Sequence, residues 1–278
     1  EAHQRLHRAL EIARFVGDAG RTAVTRAWLC GLYASIGQYD TAKELGKDAL
    51  QLALQTGSQR SVLYAHQHLG DAYLRSGRPR EALYHYRQAT SIARDQHVPY
   101  YEALLTERSG VAELRLGQPE RAATLCGTAL ELSDRIGARE IEAAAHVGLS
   151  LAGLALGRME EASRSAQRAI EIAVEIEVPE LQARGHGALA RIALERGEVG
   201  VADEHSAAAV ARIDRLRADV RSHGLEDGLL EEEEREQVYL ERARILALLG
   251  REEEARRFLE GAEWPPLERR FTAERASP

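Results

Sequence analysis

Apolar residues recur along most of the chain at the three- and four-residue spacing of amphipathic helices. The apolar stretches are interrupted by glycines that stand forty residues apart, and each glycine is followed by another apolar stretch. This pattern predicts helical hairpins, with a tight turn at each glycine. The glycines of the series are Gly37, Gly77, Gly117, Gly157 and Gly197.

Alanines follow the same period. One alanine stands five residues after each glycine, and a second stands seven residues later. Positions seven apart lie two turns apart on one helix face, so this pair predicts a close approach of the two helices of a hairpin. Pro79 and Pro119 stand where second helices should begin. The alanines are Ala42, Ala82, Ala122, Ala162 and Ala202, then Ala49, Ala89, Ala129, Ala169 and Ala209.

The period predicts an all-α, right-handed solenoid of about six and a half antiparallel hairpins over residues 1–262. Residues 1–18 are predicted as the second helix of a truncated repeat. Full repeats are expected at about 20–59, 60–99, 100–138, 139–179 and 180–219. An insertion over 217–230 precedes a last repeat at about 231–262, where Gly250 and Ala255 resume the pattern, and residues 263–278 are expected to be a cap or a disordered tail.

The best preserved repeat contains His66, Leu69, Gly70 and Tyr73, followed by Ala82, Tyr86 and Ala89. This spacing resembles the tetratricopeptide repeat, whose pattern is W-x2-L-G-x2-Y followed by A-x3-F. The forty-residue period resembles the sensor regions of bacterial MalT-like regulators and related signalling ATPases. The resemblance implies recognition by the repeats. Since helical sequence begins at residue 1 without a methionine, we expect the chain to be a piece of a larger protein.

Composition and charge narrow the classes of partner. The net charge is -7 with a pI of 5.9, so no nucleic-acid partner is expected. The longest uncharged run, residues 143–157, is too short to span a bilayer, and no membrane partner is expected. The two cysteines, Cys30 and Cys126, are predicted to be reduced and buried, which favours a cytoplasmic protein.

Candidate chemistry is sparse. His66, His146 and His186 share one repeat position, where packing is the expected role and a metal site is disfavoured. No phosphate-binding loop or hydrolase motif occurs, so the prediction is a non-enzyme without metal or cofactor. The acidic run at 231–236 is expected to begin a helix, with docking of a basic partner as the alternative.

The first helices of successive hairpins are expected to line a binding groove. Their inward positions carry more arginines than acids, which mildly favours an acidic protein or peptide partner or a small anionic ligand. The chain contains no asparagine, which disfavours the family's Lys/Asn clamp for terminal carboxylates. The candidate groove residues are Tyr64, Gln67, His68, Asp71, Arg75, Glu107, Arg108, Val111, Arg115, Leu151, Leu154, Arg184, Arg191, Glu195 and Arg244.

Two functions are carried forward. The first is a non-catalytic scaffold that binds a protein or a peptide in this groove, as the interaction or regulatory region of a larger bacterial signalling protein. The alternative is a MalT-like sensor that binds a small ligand and controls an ATPase or DNA-binding effector absent from the chain. The sequence leaves open the oligomeric state and the identity of the ligand.

Overall fold

The structure, a computed structural model, describes residues 2–222 and 232–261. Within these ranges the chain forms thirteen α-helices and no strand. The helices are α1 (Ala2–Val16), α2 (Ala19–Ser35), α3 (Tyr39–Thr56), α4 (Gln59–Arg75), α5 (Pro79–Asp95), α6 (Pro99–Arg115), α7 (Pro119–Ile136), α8 (Arg139–Ala155), α9 (Met159–Glu175), α10 (Pro179–Glu195), α11 (Val199–Ser222), α12 (Glu232–Leu248) and α13 (Glu252–Gly261).

The chain divides into two compact units, Glu1–Gly148 and Leu149–Pro278. In the first unit α2 packs with α3, α4 with α5, and α6 with α7. In the second unit α10 packs with α11, and α12 with α13. Helix α11 extends to Ser222 and includes the first residues of the predicted insertion. The remainder of that insertion and the predicted tail at 263–278 lie outside the described residues.

Prolines and glycines set the ends of the helices. Pro79, Pro99, Pro119 and Pro179 are each the first residue of a helix, where the missing N–H costs nothing and the fixed φ already suits a helix. Gly77 adopts a φ of +72° between α4 and α5, a left-handed conformation that residues with a Cβ disfavour. The spacing of these residues therefore positions the helices correctly from sequence alone.

The turns between hairpins use the same left-handed conformation. Gly57 and Gly137 adopt a φ of +68° there. His97 and Glu177 stand at the equivalent positions of two other turns, with φ of +54° and +56°. A residue with a Cβ costs roughly 1–2 kcal/mol in this conformation, so the geometry of the repeat overrides local preference at these two turns.

The periodic alanines are the contact residues of the hairpins, as the sequence predicts. Ala42, Ala82, Ala122, Ala162 and Ala202 are all fully buried. The second series is buried as well, from Ala49 to Ala209. Ala9, at the equivalent position of α1, is exposed. The pair therefore packs helices together wherever both helices of a hairpin are described.

Both cysteines are buried thiols outside any disulfide bond. Burial is the main cause that raises the pKa of the Cys30 thiol far above its ordinary value, and the Cys30 Sγ donates to the His68 carbonyl at 3.4 Å. The Cys126 Sγ lies between Gly110 and Gly148, 2.6 Å and 2.5 Å from the points where a Cβ on these glycines would stand. Their role is packing, in agreement with the sequence.

None of the described helices combines the length and the low polarity that crossing a bilayer requires.

Candidate functional site

A row of aromatic side chains crosses the first helices of the first unit. The Trp28 ring of α2 lies 4.8 Å from the His68 ring and 6.1 Å from the Tyr64 ring of α4, measured between ring centroids. Tyr64 contacts Tyr101 of α6 edge-on at 5.5 Å, and Tyr101 contacts Tyr100 at the same distance. We call these five side chains the aromatic row.

The two ends of the aromatic row are accessible. Trp28 is 44% exposed and Tyr100 is 45% exposed, whereas Tyr64 and His68 between them are buried. Sequence reasoning identified only Tyr64 and His68 as groove residues. Trp28 stands forty residues before His68, so the repeat register contained the signal that would have found it.

A cavity of about 650 Å³ adjoins the row. Its apolar lining comes largely from α1 and α2, and Tyr64 of α4 borders it. Two apolar residues of α1 line the cavity, Ile12 and Val16, and they are 56% and 69% exposed. The charged side chains of Arg21, Arg60 and Asp18 also line this cavity, and the Asp18 Oδ2 pairs with the Arg21 Nε at 3.2 Å. The space therefore combines an apolar wall with charged groups of both signs.

Hydrogen bonds fix the middle of the aromatic row. The Arg60 Nε donates to the Tyr64 hydroxyl at 2.9 Å. Burial acts to raise the pKa of Tyr64, but its hydrogen bonds with Tyr101 and Arg60 and the charge of Arg60 outweigh burial and lower that pKa. Burial first, and then the bond with Tyr64, raise the pKa of Tyr101. These contacts connect Arg60, Tyr64 and Tyr101 across α4 and α6.

His68 contacts the Trp28 ring and lies beside Asp71. The His68 Nδ1 is 3.9 Å from the Asp71 Oδ2, and its ring occupies the space left by Gly31, where a Cβ would stand 2.6 Å from Nδ1. The Tyr86 hydroxyl donates to the Asp71 Oδ1 at 2.8 Å. Burial lowers the pKa of His68 although Asp71 acts to raise it, so the imidazole is neutral. Asp71 thus links the groove to the hairpin core.

The other predicted groove residues of the first unit lie on α4 and α6. The Arg115 Nη1 donates to the Leu74 carbonyl at 2.9 Å, which ties α6 to the last turn of α4. The Arg108 Nε is 3.8 Å from the Oε2 of the buried Glu107. Val111 packs against the core, and Arg75 and Gln67 are half-buried. The structure therefore brings the predicted residues Tyr64 to Arg115 onto two neighbouring helices.

The predicted groove residues of the second unit differ in burial and in what they contact. Leu151 and Leu154 pack against the apolar cluster that contains Leu189 and Ile192. Arg184 is half-buried, whereas Arg191, Glu195 and Arg244 are exposed.

Sequence reasoning missed Glu241 in the second unit. Burial raises its pKa to about 7, although the charges of Arg191 and Arg244 act to lower it. The Glu241 carboxyl therefore lies within the electrostatic influence of both arginines, and burial outweighs that influence.

Two hairpins contain a histidine pair that the sequence did not reveal. The Nδ1 atoms of His66 and His85 are 2.8 Å apart with ring centroids at 5.1 Å, and those of His186 and His205 are 3.2 Å apart with centroids at 5.4 Å. These distances place the two nitrogens almost on the line between the rings. One imidazole therefore donates to the other, and the lone pairs do not converge on a shared metal.

Across the described residues there is no group of three or more histidine, cysteine or acidic side chains arranged to hold a metal ion. His66 and His186 each lie beside a histidine on the second helix of the same hairpin, His85 and His205.

The pair of His66 and His85 makes stability depend on pH. Burial lowers the pKa of both residues to about 4, and the neighbouring His66 adds to the shift of His85. Unfolded histidines titrate near 6.5, so between these values the unfolded chain binds more protons than the folded chain. Stability from this pair is therefore present above about pH 6.5 and is lost as the pH falls towards about 4.

We expect the double variant His66→Phe/His85→Leu to lose a measurable part of the acid sensitivity of the first unit. Urea midpoints at about pH 7 and about pH 5 provide the comparison. His97→Asn is the matched control, because His97 is exposed and asparagine tolerates its left-handed backbone. An unchanged difference between the two midpoints in the double variant would contradict this role of the pair.

The comparisons with known proteins agree with this geometry. The family model of the tetratricopeptide repeat matches residues 21–95, which include Trp28, Tyr64 and His68 of the aromatic row. These residues are tetratricopeptide repeats. The comparison with curated proteins finds no significant match.

Solved structures extend the tetratricopeptide-like fold over most of the chain. A Rap protein complexed with Competence and Sporulation Factor has a TM-score of 0.68 at 18% identity, over 95% of this chain and 68% of that chain. Aspartyl phosphate phosphatase F from Bacillus subtilis has a TM-score of 0.69 at 13% identity, over 94% of this chain and 64% of that one.

A third similar structure is a signal transduction ATPase with numerous domains and a tetratricopeptide repeat sensor, from Pyrococcus horikoshii. Its TM-score is 0.54 at 17% identity, over 88% of this chain and 36% of that chain. At such identities the likeness shows the fold alone. The predicted fold class, an all-α solenoid of tetratricopeptide-like antiparallel hairpins, is confirmed.

Proposed function

We propose that this chain is a non-catalytic scaffold that binds a peptide or an extended protein segment along the first helices of its first unit. The observation that carries the proposal is the aromatic row with an exposed Trp28 beside a cavity of about 650 Å³. Aromatic side chains at the edge of an apolar recess are typical anchors for a bound side chain. The Rap protein of similar fold was solved complexed with Competence and Sporulation Factor.

The protonation states and contacts of the buried residues behind the aromatic row support a role in binding. His68 is neutral and contacts the Trp28 ring, Asp71 accepts from Tyr86, and both cysteine thiols are buried. These groups hold the surface in one conformation, and a preorganised surface binds with a smaller entropic cost. We therefore propose that these groups support a binding surface and take no part in catalysis.

The proposal also concerns the charge of the partner. Arg191 and Arg244 of the second unit are exposed, and arginine binds carboxylates with two parallel hydrogen bonds. We propose that this part of the chain favours an acidic stretch of the partner. On this view the chain acts as the interaction region of a larger bacterial signalling protein in the cytoplasm.

The test is selection of displayed nine-residue peptides on the immobilised chain, followed by calorimetry of the enriched peptides. We expect Trp28→Ala to weaken their binding about tenfold or more, because truncating a central aromatic anchor costs about 2 kcal/mol or more. Leu54→Ala is the matched control, since Leu54 is also exposed, at 62%, but lies on the second helix α3. Equal loss in both variants, or no enrichment over an unrelated protein, refutes the proposal.

The alternative is a small-ligand sensor of the MalT-like kind that controls an effector outside this chain. The cavity favours it, because about 650 Å³ falls within the range of roughly 300–1,000 Å³ typical of small-molecule sites. Arg60 in its lining suits a small anionic ligand, whereas Arg21 already pairs with Asp18 at 3.2 Å.

A thermal-shift screen of sugars and nucleotides separates the sensor from the scaffold. A ligand at 100 times its Kd should stabilise the chain by about 2.7 kcal/mol. A saturable shift that Val24→Trp abolishes would favour the sensor, since Val24 lines the cavity. No shift together with selected peptides would favour the scaffold.

A further inference from the structure

The cavity beside the aromatic row has a wall of apolar side chains that remain accessible to a ligand. Ile12 and Val16 of α1 are more than half exposed, and Trp28 of α2 is 44% exposed. Val24 of α2 is half-buried and lines the same cavity. Covering apolar surface favours binding, and each methylene group that a ligand buries strengthens its binding by up to about fourfold. The wall therefore suits a ligand with an apolar body.

Most polar side chains of the lining already have partners within the protein. The Asp18 Oδ1 accepts from the Arg21 backbone N–H at 2.9 Å, and the Asp18 Oδ2 lies 3.2 Å from the Arg21 Nε. The Ser61 hydroxyl donates to the Ser58 Oγ at 2.9 Å. The Thr25 hydroxyl donates to the Arg21 carbonyl at 2.8 Å. The lining therefore offers few places for a ligand with many polar atoms.

Arg60 differs from the other charged residues of the lining. Its Nε donates to the Tyr64 hydroxyl at 2.9 Å, and its guanidinium carbon lies 5.6 Å from the centre of the Tyr64 ring, so these contacts orient the guanidinium. No carboxylate of the described residues forms an ion pair with Arg60. The charged side chains of the lining are two arginines and one aspartate, which gives it a net charge of +1. Since Asp18 pairs with Arg21, this charge belongs to Arg60.

We infer that this cavity binds a small monocarboxylic acid with an apolar body, whose carboxylate pairs with the terminal nitrogens of Arg60 while its body covers the wall of α1 and α2. This inference rests on the small-ligand alternative of the proposed function and names the class of that ligand. A guanidinium donates two parallel hydrogen bonds to a carboxylate. A single negative charge also matches the net charge of the lining.

Other classes of ligand fit this lining less well. A sugar or a peptide main chain inside the cavity would place hydroxyl, N–H or C=O groups against apolar side chains that cannot bond to them, and unsatisfied polar groups weaken binding. Inorganic phosphate has no apolar part to cover Ile12 and Val16. A neutral hydrocarbon would leave the charge of Arg60 without a counter-ion. A carboxylate on an apolar body avoids all of these costs.

The experiment is a calorimetric titration of the whole chain with hexanoate, octanoate, octanamide and octylammonium, all below the concentrations at which they form micelles. We expect octanoate to saturate with a Kd of about 1 mM or lower. Hexanoate should bind about fourfold or more weakly than octanoate, because it buries two fewer methylene groups. Octanamide and octylammonium should each bind about tenfold more weakly, since the first has no charge and the second has the same charge as Arg60.

The variant Arg60→Gln should weaken octanoate about tenfold and change the binding of octanamide by less than about twofold, because only octanoate pairs with the guanidinium. Arg80→Gln is the matched control, since Arg80 is also exposed but lies on the second helix α5, outside the cavity. A urea melt of each variant confirms folding. Octanoate binding that does not saturate, equal affinity for octanoate and octanamide, or equal effects of the two variants overturns the inference.

The inference and the proposed functions fail separately. A sugar or nucleotide whose thermal shift is abolished by Val24→Trp, together with no saturable binding of octanoate, would keep the sensor and refute the acid site. Saturable octanoate binding that depends on Arg60, without any enriched peptide, would keep the acid site and refute the scaffold. Selected peptides that need Trp28, together with no saturable binding of octanoate, would keep the scaffold and refute the acid site.

Discussion

Replacing Gly70 by alanine is expected to destabilise the first unit by about 2–3 kcal/mol, since it overpacks a closely packed contact. A Cβ at this position would stand 2.5 Å from Cε1 and 2.6 Å from Cδ1 of Tyr86, whose side chain is fully buried. The Tyr86 ring cannot retreat without breaking its hydroxyl bond to Asp71. Urea unfolding measures the loss, and it should outweigh the gain of about 1 kcal/mol in helix propensity.

The loss of stability in Gly70→Ala should depend on the contact with Tyr86 and not on the glycine alone. Gly127→Ala is the control, because within the described part of the chain nothing lies within 4 Å of a Cβ at Gly127. That variant should stabilise by up to about 1 kcal/mol. In a Tyr86→Ser background the cost of Gly70→Ala should disappear. An equal cost in both backgrounds would contradict the pairwise contact.

The same contact recurs along the repeats with the sizes exchanged. Cys30 stands at the Gly70 position, and Gly46 stands at the Tyr86 position, where a Cβ would lie 2.9 Å from the Cys30 Sγ. In the hairpin of α6 and α7, a Cβ on Gly110 would lie 2.6 Å from the Cys126 Sγ. A large residue on one helix thus requires a small residue on the other, which explains why the glycine of the repeat motif is replaced in some copies.

Arg242→Met is expected to destabilise the last hairpin, α12 and α13, by about 2–4 kcal/mol. The Arg242 Nη1 donates to the Asp203 carbonyl at 2.9 Å, to the Asp203 Oδ1 and to the Ser206 Oγ at 3.1 Å. Its side chain is only 12% exposed. Removing the guanidinium leaves the Asp203 carboxylate with Arg251 at 3.3 Å as its remaining cation among the described residues.

The effect should be local, because in stacked repeats each hairpin depends mainly on its neighbours. Hydrogen exchange should accelerate in α12 and α13 and stay unchanged in α4 and α5. Arg256→Met is the matched control, since Arg256 pairs with Glu253 at 3.5 Å and both side chains are exposed. That variant should cost less than about 0.5 kcal/mol. Equal effects of the two variants would show that Arg242 does not hold the hairpin.

Much of the candidate site lay within reach of sequence reasoning. The positions of Tyr64, His68 and Glu107 on the first helices follow from the forty-residue register, and the structure places all three on α4 and α6. The register also contained Trp28, which reasoning from the best-preserved repeat overlooked. Tyr101 and Glu241 stand at positions without a recurring residue type, so no periodic signal marked them.

The sequence by itself determined the helices, their turns and the faces on which they pack. These features depend on local rules, such as proline at a first helical position, glycine at a left-handed turn and alanine where two helices touch. Each rule acts within one hairpin, so a pattern that repeats along the sequence is enough to predict the helices and turns. Pro79, Gly77 and Ala82 alone specify how the hairpin of α4 and α5 begins, turns and closes.

Only the tertiary structure decided which side chains meet. The tilted ring contact of Trp28 with His68, the bond from Tyr86 to Asp71 and the His66–His85 pair join residues on different helices. Their contacts depend on the distance and angle between helix axes, to within a fraction of an ångström, and a periodic pattern does not encode that precision. The same packing leaves the Glu107 Oε1 buried and unsatisfied by any described residue.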